Sequence, residues 1–335
     1  MYRLPSHSID TRLTGNRIAI VLLTPASWLY GLATSFRNYL YDKRLLSSYK
    51  PDIPVIVVGN LVAGGTGKTR VVAWLASQLS KRWRVAILSR GYGRTMSGFL
   101  LLDETAAPDS AGDEPMELRA LLPGIPIGVD GNRRRGIRLL ASGAQKPDVI
   151  LMDDGFQHRS VKPGFSILLD DARRPMRREQ LLPAGLRREP LSGIKRADLV
   201  IETKNKPYQT DPTGGAPFLL VTGTARPGAL AESLATTGLM LGHLQYPDHF
   251  RYGSREVRQI REAYIGIKER ENLPEGTPEP VILTTGKDYV KLSLLQEMEG
   301  LPLRVLPNRP PLDESQETEI LKIVNQYVEK THGIN

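Results

Sequence analysis

Short apolar runs alternate with more polar segments between residues 50 and 205. The segment from 69 to 82, between the first two runs, repeats apolar residues at the spacing of one helix face. Near-continuous apolar strands that alternate with helices are typical of a mostly parallel sheet covered on both faces. The pattern therefore predicts a doubly wound α/β core. The runs are PVIVVGN (54–60), RVAILS (84–89), IPIGV (125–129), DVILMDD (148–154), FSILLDD (165–171) and ADLVIET (197–203).

A polar stretch rich in turn-forming residues, KNKPYQTDPTGG (204–215), ends this series and marks a domain boundary. Beyond it, two further apolar runs have the composition of strands and two longer segments have helical spacing. We therefore predict an N-terminal helical region over 1–50, a core domain over 51–215 and a smaller C-terminal α/β domain over 216–335. The later runs are FLLVTG (218–223) and VILTTG (281–286), and the helical segments are 254–272 and 313–331.

The segment 18–36, IAIVLLTPASWLYGLATSF, carries no charge. As one helix it would reach about 28 Å, close to the thickness of a bilayer's hydrocarbon core. Pro25 would kink such a helix. An interfacial membrane anchor with Trp28 and Tyr30 at headgroup level fits best, and a buried core helix and a true span are the alternatives. Basic residues lie on both sides of the segment, so it has no inside–outside asymmetry; they are Arg12, Arg17, Arg37, Lys43 and Arg44.

Composition narrows the possible partners of the 335-residue chain. It contains no cysteine, which excludes disulfide scaffolds, thiolate zinc sites and cysteine nucleophiles. Lys and Arg number 45 against 36 acidic residues, an excess that attracts phosphate groups. Aromatic residues make up 6% and do not interleave with the arginines, so we expect no nucleic-acid binding. The ordinary interpretation of the arginine clusters is a solvated surface; they are Arg133–Arg135, Arg173–Arg178 and Arg187–Arg196.

The segment GNLVAGGTGKT (59–69) leaves a predicted strand and opens a predicted helix, which is the context of a phosphate-binding loop. Its glycines let backbone N–H groups approach phosphate oxygens, and the helix N-terminus adds its dipole. We expect Lys68 to reach the β- and γ-phosphates and the Thr69 hydroxyl to ligate Mg²⁺. Val62 stands where the generic motif has glycine. The candidate nucleotide-binding residues are Gly59, Asn60, Ala63, Gly64, Gly65, Thr66, Gly67, Lys68 and Thr69.

Two acidic motifs accompany this loop. Asp153 and Asp154 close the predicted strand at 148–154, where phosphate-loop proteins hold Mg²⁺ directly or through water. Asp113 lies in GDEP (112–115), and phosphoryl transfer to an alcohol benefits from a carboxylate that accepts the hydroxyl proton. Either motif in isolation is also compatible with an ordinary surface turn.

Seven motifs follow one another from about Leu23 to the C-terminus, and together they resemble the tetraacyldisaccharide 4'-kinase (lipid A 4'-kinase) family. The Val at position 62 fits the phosphate loop of that family. Two departures are Leu186-Arg187, where Pro-Leu is expected, and Gly286, where Glu is expected. The motifs are GNLVAGGTGKT, LSRGYGR (88–94), GDEP, DDGFQH (153–158), PAG…REP (183–190), PDHF (247–250) and T-x-K-D (285–288).

The resemblance implies a phosphate-loop kinase that transfers the γ-phosphate of ATP to the 4'-hydroxyl of a tetraacyl glucosamine disaccharide 1-phosphate in lipid A biosynthesis. Carried over by motif, Asp113 is the general base and His249 its orienting partner. Lys68 holds phosphate, and His158 lies near the γ-phosphate. The Mg²⁺ ligands that the resemblance implies are Thr69, Asp153, Asp154 and Glu114.

Such a substrate lies at a membrane surface. We expect a monomer on the cytoplasmic face of the inner membrane, peripheral or monotopic, which contacts the lipid A disaccharide precursor and anionic phospholipid.

Alternative functions remain open at this point. A deviant phosphate-loop ATPase switch or metal-insertion protein would carry a signature lysine where this chain has Ala63. A GTPase would need an Asn/Thr-Lys-x-Asp guanine motif, and the segment 285–288 is out of that spacing by one residue. A non-enzymatic membrane or nucleic-acid binder would leave the phosphate loop without a function.

Overall fold

The computed structural model describes residues 17–103, 108–143, 145–204, 211–224, 227–235, 237–269 and 276–334. The chain divides into two compact units. The larger, which we call the large unit, contains the described residues of 17–204 and 309–334. The small unit contains the described residues of 211–308.

The large unit is a seven-stranded sheet covered by helices. Its strands are β1 Val55–Asn60, β2 Val85–Ser89, β3 Leu100–Leu101, β4 Ile127–Val129, β5 Val149–Asp153, β6 Phe165–Asp171 and β7 Leu199–Thr203. Its helices are α1 Arg17–Asp42, α2 Lys68–Leu79, α3 Pro108–Ala111, α4 Asp113–Leu121, α5 Arg133–Ser142 and α9 Glu314–Thr331, with a 3₁₀ turn at Leu191–Arg196.

The strand order is β3-β4-β2-β5-β1-β6-β7, and every neighbouring pair is parallel except β3 with β4. All six apolar runs form strands, and the predicted doubly wound α/β class is confirmed. Residues of β1, β2 and β5 point alternately into a hydrophobic cluster on each face of the sheet, which explains why these runs lack polar alternation. The two-residue edge strand β3 was not predicted, because it is too short to leave a pattern.

The small unit has a four-stranded parallel sheet in the order β11-β10-β8-β9. The two predicted strands, β8 and β10, are central and fully buried. The edge strands were missed because they are less buried and less uniformly apolar. The elements are β8 Phe218–Thr222, α6 Pro227–Leu234, β9 Met240–Gln245, α7 Ser254–Lys268, β10 Val281–Thr284, α8 Gly286–Leu292, a 3₁₀ turn Gln296–Met298 and β11 Leu303–Val305.

The last helix, α9, packs in the large unit, although the sequence placed 216–335 in one C-terminal domain. Ile320, Val324 and Val328 recur every four residues and are buried in the hydrophobic cluster that contains α2 and β1. The Lys204 N–H donates to Pro311 O at 3.1 Å, where the chain leaves and re-enters the unit. The turn-rich segment 204–215 shows where the chain leaves the large unit, but no sequence pattern shows that the chain returns to it.

Helix α1 runs without interruption through Pro25 and has two unlike faces. One face contacts the large unit: Ser27 Oγ donates to Leu181 O at 3.0 Å, and Tyr30 OH donates to Arg188 O at 2.7 Å. The opposite face is apolar and largely exposed, and includes Ile18, Val21, Leu22, Trp28, Leu29, Leu32 and Phe36. This exposure is inconsistent with a buried core helix. Of the flanking basic residues, Arg12 lies outside the described residues.

The packing of α9 can be tested at Gly164, before β6. A Cβ at this position would overlap the hydroxyl of Tyr327 on α9. We expect Gly164→Ala to lower the free energy of unfolding by roughly 1–3 kcal/mol, measured by urea denaturation. Gly143→Ala is the control, because its Cβ would make only ordinary contacts, with Leu140 O at 3.5 Å and Leu139 O at 3.7 Å. Equal stability of the two variants would contradict the packing of α9 described above.

Candidate active site

The phosphate loop connects the end of β1 to the start of α2. Gly64 and Gly67 have φ values of 109° and 81°, in the region that favours glycine. A Cβ on Gly64 or Gly65 would meet nothing within 4 Å, so the tip of the loop faces open space. Gly67 is the N-cap of the 12-residue helix α2. A glycine-rich loop and a helix N-terminus thus lie together at an exposed surface, which is the setting in which proteins bind phosphate.

Asn60 holds the loop together from inside. Its buried amide nitrogen donates to Thr66 Oγ1 at 3.0 Å and to the carbonyl of Val62. The amide oxygen accepts from Lys68 Nζ at 3.2 Å. One side chain therefore binds both arms of the loop and orients its lysine.

The PAG…REP segment braces the loop from outside. Ala63 N–H donates to Leu186 O at 2.8 Å, and Arg188 N–H donates to Leu61 O at 2.7 Å. Backbone groups make these bonds. The departure at Leu186-Arg187 from the family pattern therefore leaves them intact.

Asp154 is held as a carboxylate beside the lysine. Lys68 Nζ lies 3.5 Å from its Oδ1, and Arg188 Nη1 donates to both carboxylate oxygens at 2.8 and 2.9 Å. Burial opposes ionisation, but the charges of Lys68 and Arg188 outweigh it and lower the pKa of Asp154. Its oxygens are thus engaged in orienting Lys68.

Asp153, at the end of β5, has the opposite environment. Within the described part of the chain, neither of its buried carboxylate oxygens has a hydrogen-bond partner. Burial, followed by the charges of Glu114 and Asp154, raises the pKa of Asp153 from 3.8 to about 8. An orphaned buried carboxylate is satisfied by a hard cation such as Mg²⁺, so Asp153 fits the predicted metal role.

The other predicted metal ligands do not form a full coordination shell together with Asp153. Glu114 lies in the first turn of α4, close enough to affect Asp153, and Thr69 lies in the first turn of α2. Among the described residues, no group of three or more His, Asp or Glu side chains is arranged to hold a metal ion. Mg²⁺ in kinases commonly takes its other ligands from water and substrate phosphates. These residues therefore fit a cation that arrives with a nucleotide.

Asp113 is the first residue of α4, and a close contact between two loops sets the position of that helix. Gly112 has φ 91°, and a Cβ on it would lie 2.7 Å from Tyr92 O. Arg94 stabilises the loop that contains Tyr92, because it donates hydrogen bonds to the carbonyls of Val129 and Gly98 at 3.0 and 2.7 Å. The LSRGYGR motif thus supports the GDEP motif.

Arg133 is a residue of the site that the sequence analysis missed. Its side chain is fully buried, and it donates to Asp130 O and Asp153 O, each at 2.9 Å. Burial lowers the pKa of its guanidinium to about 10, so it stays charged at neutral pH. The solvated-surface interpretation is wrong for this arginine, because the sequence shows three adjacent arginines without showing which one points inward.

His158 lies in the same charged environment. Burial lowers its pKa from 6.5 to about 4, with further lowering by the charges of Arg133 and Arg90. The ring is therefore neutral at pH 7. Near a phosphate it would act as a hydrogen-bonding group and contribute no positive charge.

In the small unit, two lysines of α8 hold the PDHF motif. Lys287 Nζ lies 2.6 Å from Asp248 Oδ1, and Lys291 Nζ donates to Phe250 O at 3.1 Å. His249 has φ 59°, a conformation that costs a non-glycine residue about 1–3 kcal/mol. His249 belongs to this unit, whereas the other predicted site residues belong to the large unit.

The T-x-K-D motif (285–288) contacts the PDHF loop through Lys287 and contains a second, buried carboxylate. Asp288 is fully buried and accepts from Gly223 N–H at 2.8 Å, Tyr252 OH at 3.0 Å and Thr285 Oγ1 at 2.7 Å. Its carboxylate is therefore occupied within the protein. This bonding argues against the guanine-binding role that the GTPase alternative requires.

The opposite environments of the two adjacent carboxylates predict opposite pH effects. The pKa of Asp153 is raised, so its ionisation destabilises the fold as pH rises from 3.8 towards about 8. We expect the stability of Asp153→Asn relative to wild type to increase across that range. The pKa of Asp154 is lowered, so its stabilising effect is present at neutral pH and is lost as pH falls. Asp154→Asn should therefore lose stability relative to wild type as pH rises towards 3.8, and the difference should stay nearly constant above that pH.

Thermal unfolding without nucleotide or divalent cation measures both effects. The readout is the pH dependence of the difference from wild type, since the amide itself alters packing at every pH. Parallel pH profiles for the two variants would contradict these assignments.

Comparison with known proteins supports the same functional class. The sequence model of the tetraacyldisaccharide-1-P 4'-kinase family, LpxK, matches residues 19–215. A tetraacyldisaccharide 4'-kinase of Parabacteroides distasonis is 37% identical, and the alignment covers 84% of this chain and 86% of that protein. A relative of the same name from Phocaeicola vulgatus is 35% identical, over 95% of this chain and 98% of its own.

The fold has a solved counterpart. The crystal structure of the "apo" form of LpxK from Aquifex aeolicus in complex with ATP superposes with a TM-score of 0.72 at 29% identity. The superposition covers 92% of this chain and 99% of that one. The family match includes the phosphate loop and both acidic motifs, and the relatives align over most of the chain. This chain therefore belongs to the tetraacyldisaccharide-1-P 4'-kinase family.

Proposed function

We propose that this chain transfers the γ-phosphate of ATP to the 4'-hydroxyl of a tetraacyl disaccharide 1-phosphate, the lipid A precursor. The observation that carries the proposal is the orientation of Lys68 between Asn60 and Asp154 at the mouth of the phosphate loop. The name of the family describes this reaction, and the ATP complex of the Aquifex relative supports ATP as the donor.

In the proposed reaction the loop N–H groups and Lys68 bind the β- and γ-phosphates. The 4'-hydroxyl oxygen forms a bond to the γ-phosphorus as the bond to the β–γ bridging oxygen breaks, and ADP leaves. Asp113 accepts the hydroxyl proton, and His249 orients or polarises that carboxylate. His158, neutral at pH 7, contributes hydrogen bonding near the transferred group.

Mg²⁺, when bound, neutralises charge that develops on the phosphate oxygens. Asp153 is the favoured ligand because its two oxygens have no other partner among the described residues. The Thr69 hydroxyl and Glu114 complete the proposed protein contribution. Asp154 was grouped with the metal ligands from sequence, but its bonds to Lys68 and Arg188 favour a role in orienting the lysine.

We infer that α1 lies in the membrane interface on the cytoplasmic face, where ATP is available. Contacts with the large unit extend from Ser27 to Asp42 on its polar face. Of the described residues of α1, only 17–26 lie beyond these contacts, about 15 Å of helix against a hydrocarbon core of about 30 Å. This length favours an interfacial helix whose exposed apolar side enters the headgroup–acyl boundary.

Asp113 provides the test of the reaction. Asp113→Asn keeps the shape of the side chain but cannot accept a proton, so we expect kcat to fall about 10²–10⁴-fold with little change in the KM for ATP. The assay measures ATP consumption with and without the detergent-dispersed lipid acceptor. Asp52→Asn, at an exposed carboxylate of the same unit, is the control.

Three outcomes would argue against the proposal. Turnover of Asp113→Asn near that of wild type would remove this residue from the reaction. Consumption of ATP that does not depend on the acceptor would indicate an ATPase switch instead. Fully multiplicative losses in an Asp113→Asn/His249→Ala double variant would show that the two residues do not act as a unit.

The exposed face of α1 provides the test of membrane association. Leu22→Glu combined with Leu29→Glu places charges on that face, and we expect binding to vesicles of anionic phospholipid to fall at least tenfold. Activity on detergent-dispersed acceptor should remain near wild type, because neither side chain faces the large unit. Leu294→Glu, at a similarly exposed leucine of the small unit, is the control. Unchanged vesicle flotation of the double variant would contradict the interfacial position.

A further inference from the structure

Glu189, in the REP motif, is a fully buried carboxylate shared by three parts of the large unit. Asn38 Nδ2 of α1 donates to Oε2 at 3.0 Å, and Gln157 Nε2 donates to Oε1 at 3.1 Å. Arg196 Nη2 donates to both oxygens at 2.8 and 2.9 Å and balances the charge. Removing one donor from a buried carboxylate is costly, because no water replaces it.

Gln157 connects Glu189 to the phosphate loop. The same Nε2 group that bonds Glu189 also donates to the backbone carbonyl of Asn60 at 3.0 Å. The side chain of Asn60 in turn binds Thr66 and Lys68. A continuous series of hydrogen bonds therefore joins a residue of α1 to the lysine of the phosphate loop.

Asn38 has no evident role in anchoring the protein to a membrane. Its side chain is buried against the large unit, in a helix whose other face is apolar and exposed. Within the described residues its amide oxygen has no partner, so its bonding is committed to Glu189 through the nitrogen. Such a half-satisfied amide in a helix is unfavourable for stability alone.

We propose that Asn38 is a positioning residue for nucleotide binding: through Glu189 and Gln157 it holds Asn60 and thereby the phosphate loop and Lys68. Helix α1 then has two functions on two faces, contact with lipid on one and support of the nucleotide site on the other. The inference rests on the proposed function only in taking the loop as the site of ATP, and it is independent of the identity of the phosphate acceptor.

The test compares two variants of α1 by equilibrium binding of ATP to the full chain in detergent, without a lipid acceptor. We expect Asn38→Leu, of similar volume, to weaken ATP binding about 5–30-fold, the effect of losing a buried hydrogen bond. Asp42→Ala is the matched control: it removes the ion pair of α1 with Arg159 Nη2 at 2.6 Å but no bond to Glu189 or to the PAG…REP segment. It should change ATP affinity less than twofold.

A second variant separates positioning from general loosening of the helix. Gln157→Met removes the link between Glu189 and Asn60 while retaining a side chain of similar length. We expect Asn38→Leu to have little further effect on ATP affinity in the Gln157→Met background, since the two act in series. The Gln157→Met variant also tests the path if Asn38→Leu does not fold.

Three results would overturn the proposal: wild-type ATP affinity in Asn38→Leu or in Gln157→Met, an equal loss in Asp42→Ala, or full additivity in the double variant. Failure of the kinase proposal would look different, because ATP binding would respond as described while no phosphate reached the lipid acceptor.

Discussion

Asn60 lies where the central strand β1 ends, and its buried amide binds both arms of the phosphate loop and Lys68. A loop with two left-handed glycines has little conformational preference of its own, so its shape depends on such a contact. The other parts of the site are organised around the same point. Gln157 binds the backbone of Asn60, and Asp154 binds the lysine that Asn60 orients.

Charge compensation is nearly complete around this centre, with one exception. Asp154 is paired with Lys68 and Arg188, and Glu189 is paired with Arg196. Asp153 alone among these carboxylates has oxygens without a hydrogen-bond partner in the described structure. A buried carboxyl group without hydrogen-bond partners is costly, and proteins retain one where a ligand supplies the missing partner. The cost at Asp153 is thus a structural sign of cation binding.

Two of the three non-glycine residues with positive φ in the described structure lie in functional motifs; the third is Arg44. Asp154 and His249 have φ values of 49° and 59°, and they belong to the DDGFQH and PDHF motifs. Such conformations persist only where surrounding contacts determine them. Arg188 and Lys68 hold the first, while Lys287 and Lys291 hold the loop of the second. The backbone conformations of both motifs therefore depend on charged side chains from distant positions in the chain.

The sequence alone determined six of the seven strands of the large sheet, the phosphate loop and the acidic motifs beside it. These features are recognisable because apolar runs, loop glycines and motif spacing are local properties of the chain. Only the tertiary structure decided that Arg133 is buried, that α9 returns to the large unit, and that adjacent Asp153 and Asp154 differ in protonation. It also decided that Glu189 connects α1 to the loop. The physical reason is that burial and charge pairing depend on partners far away in sequence, which no local pattern records.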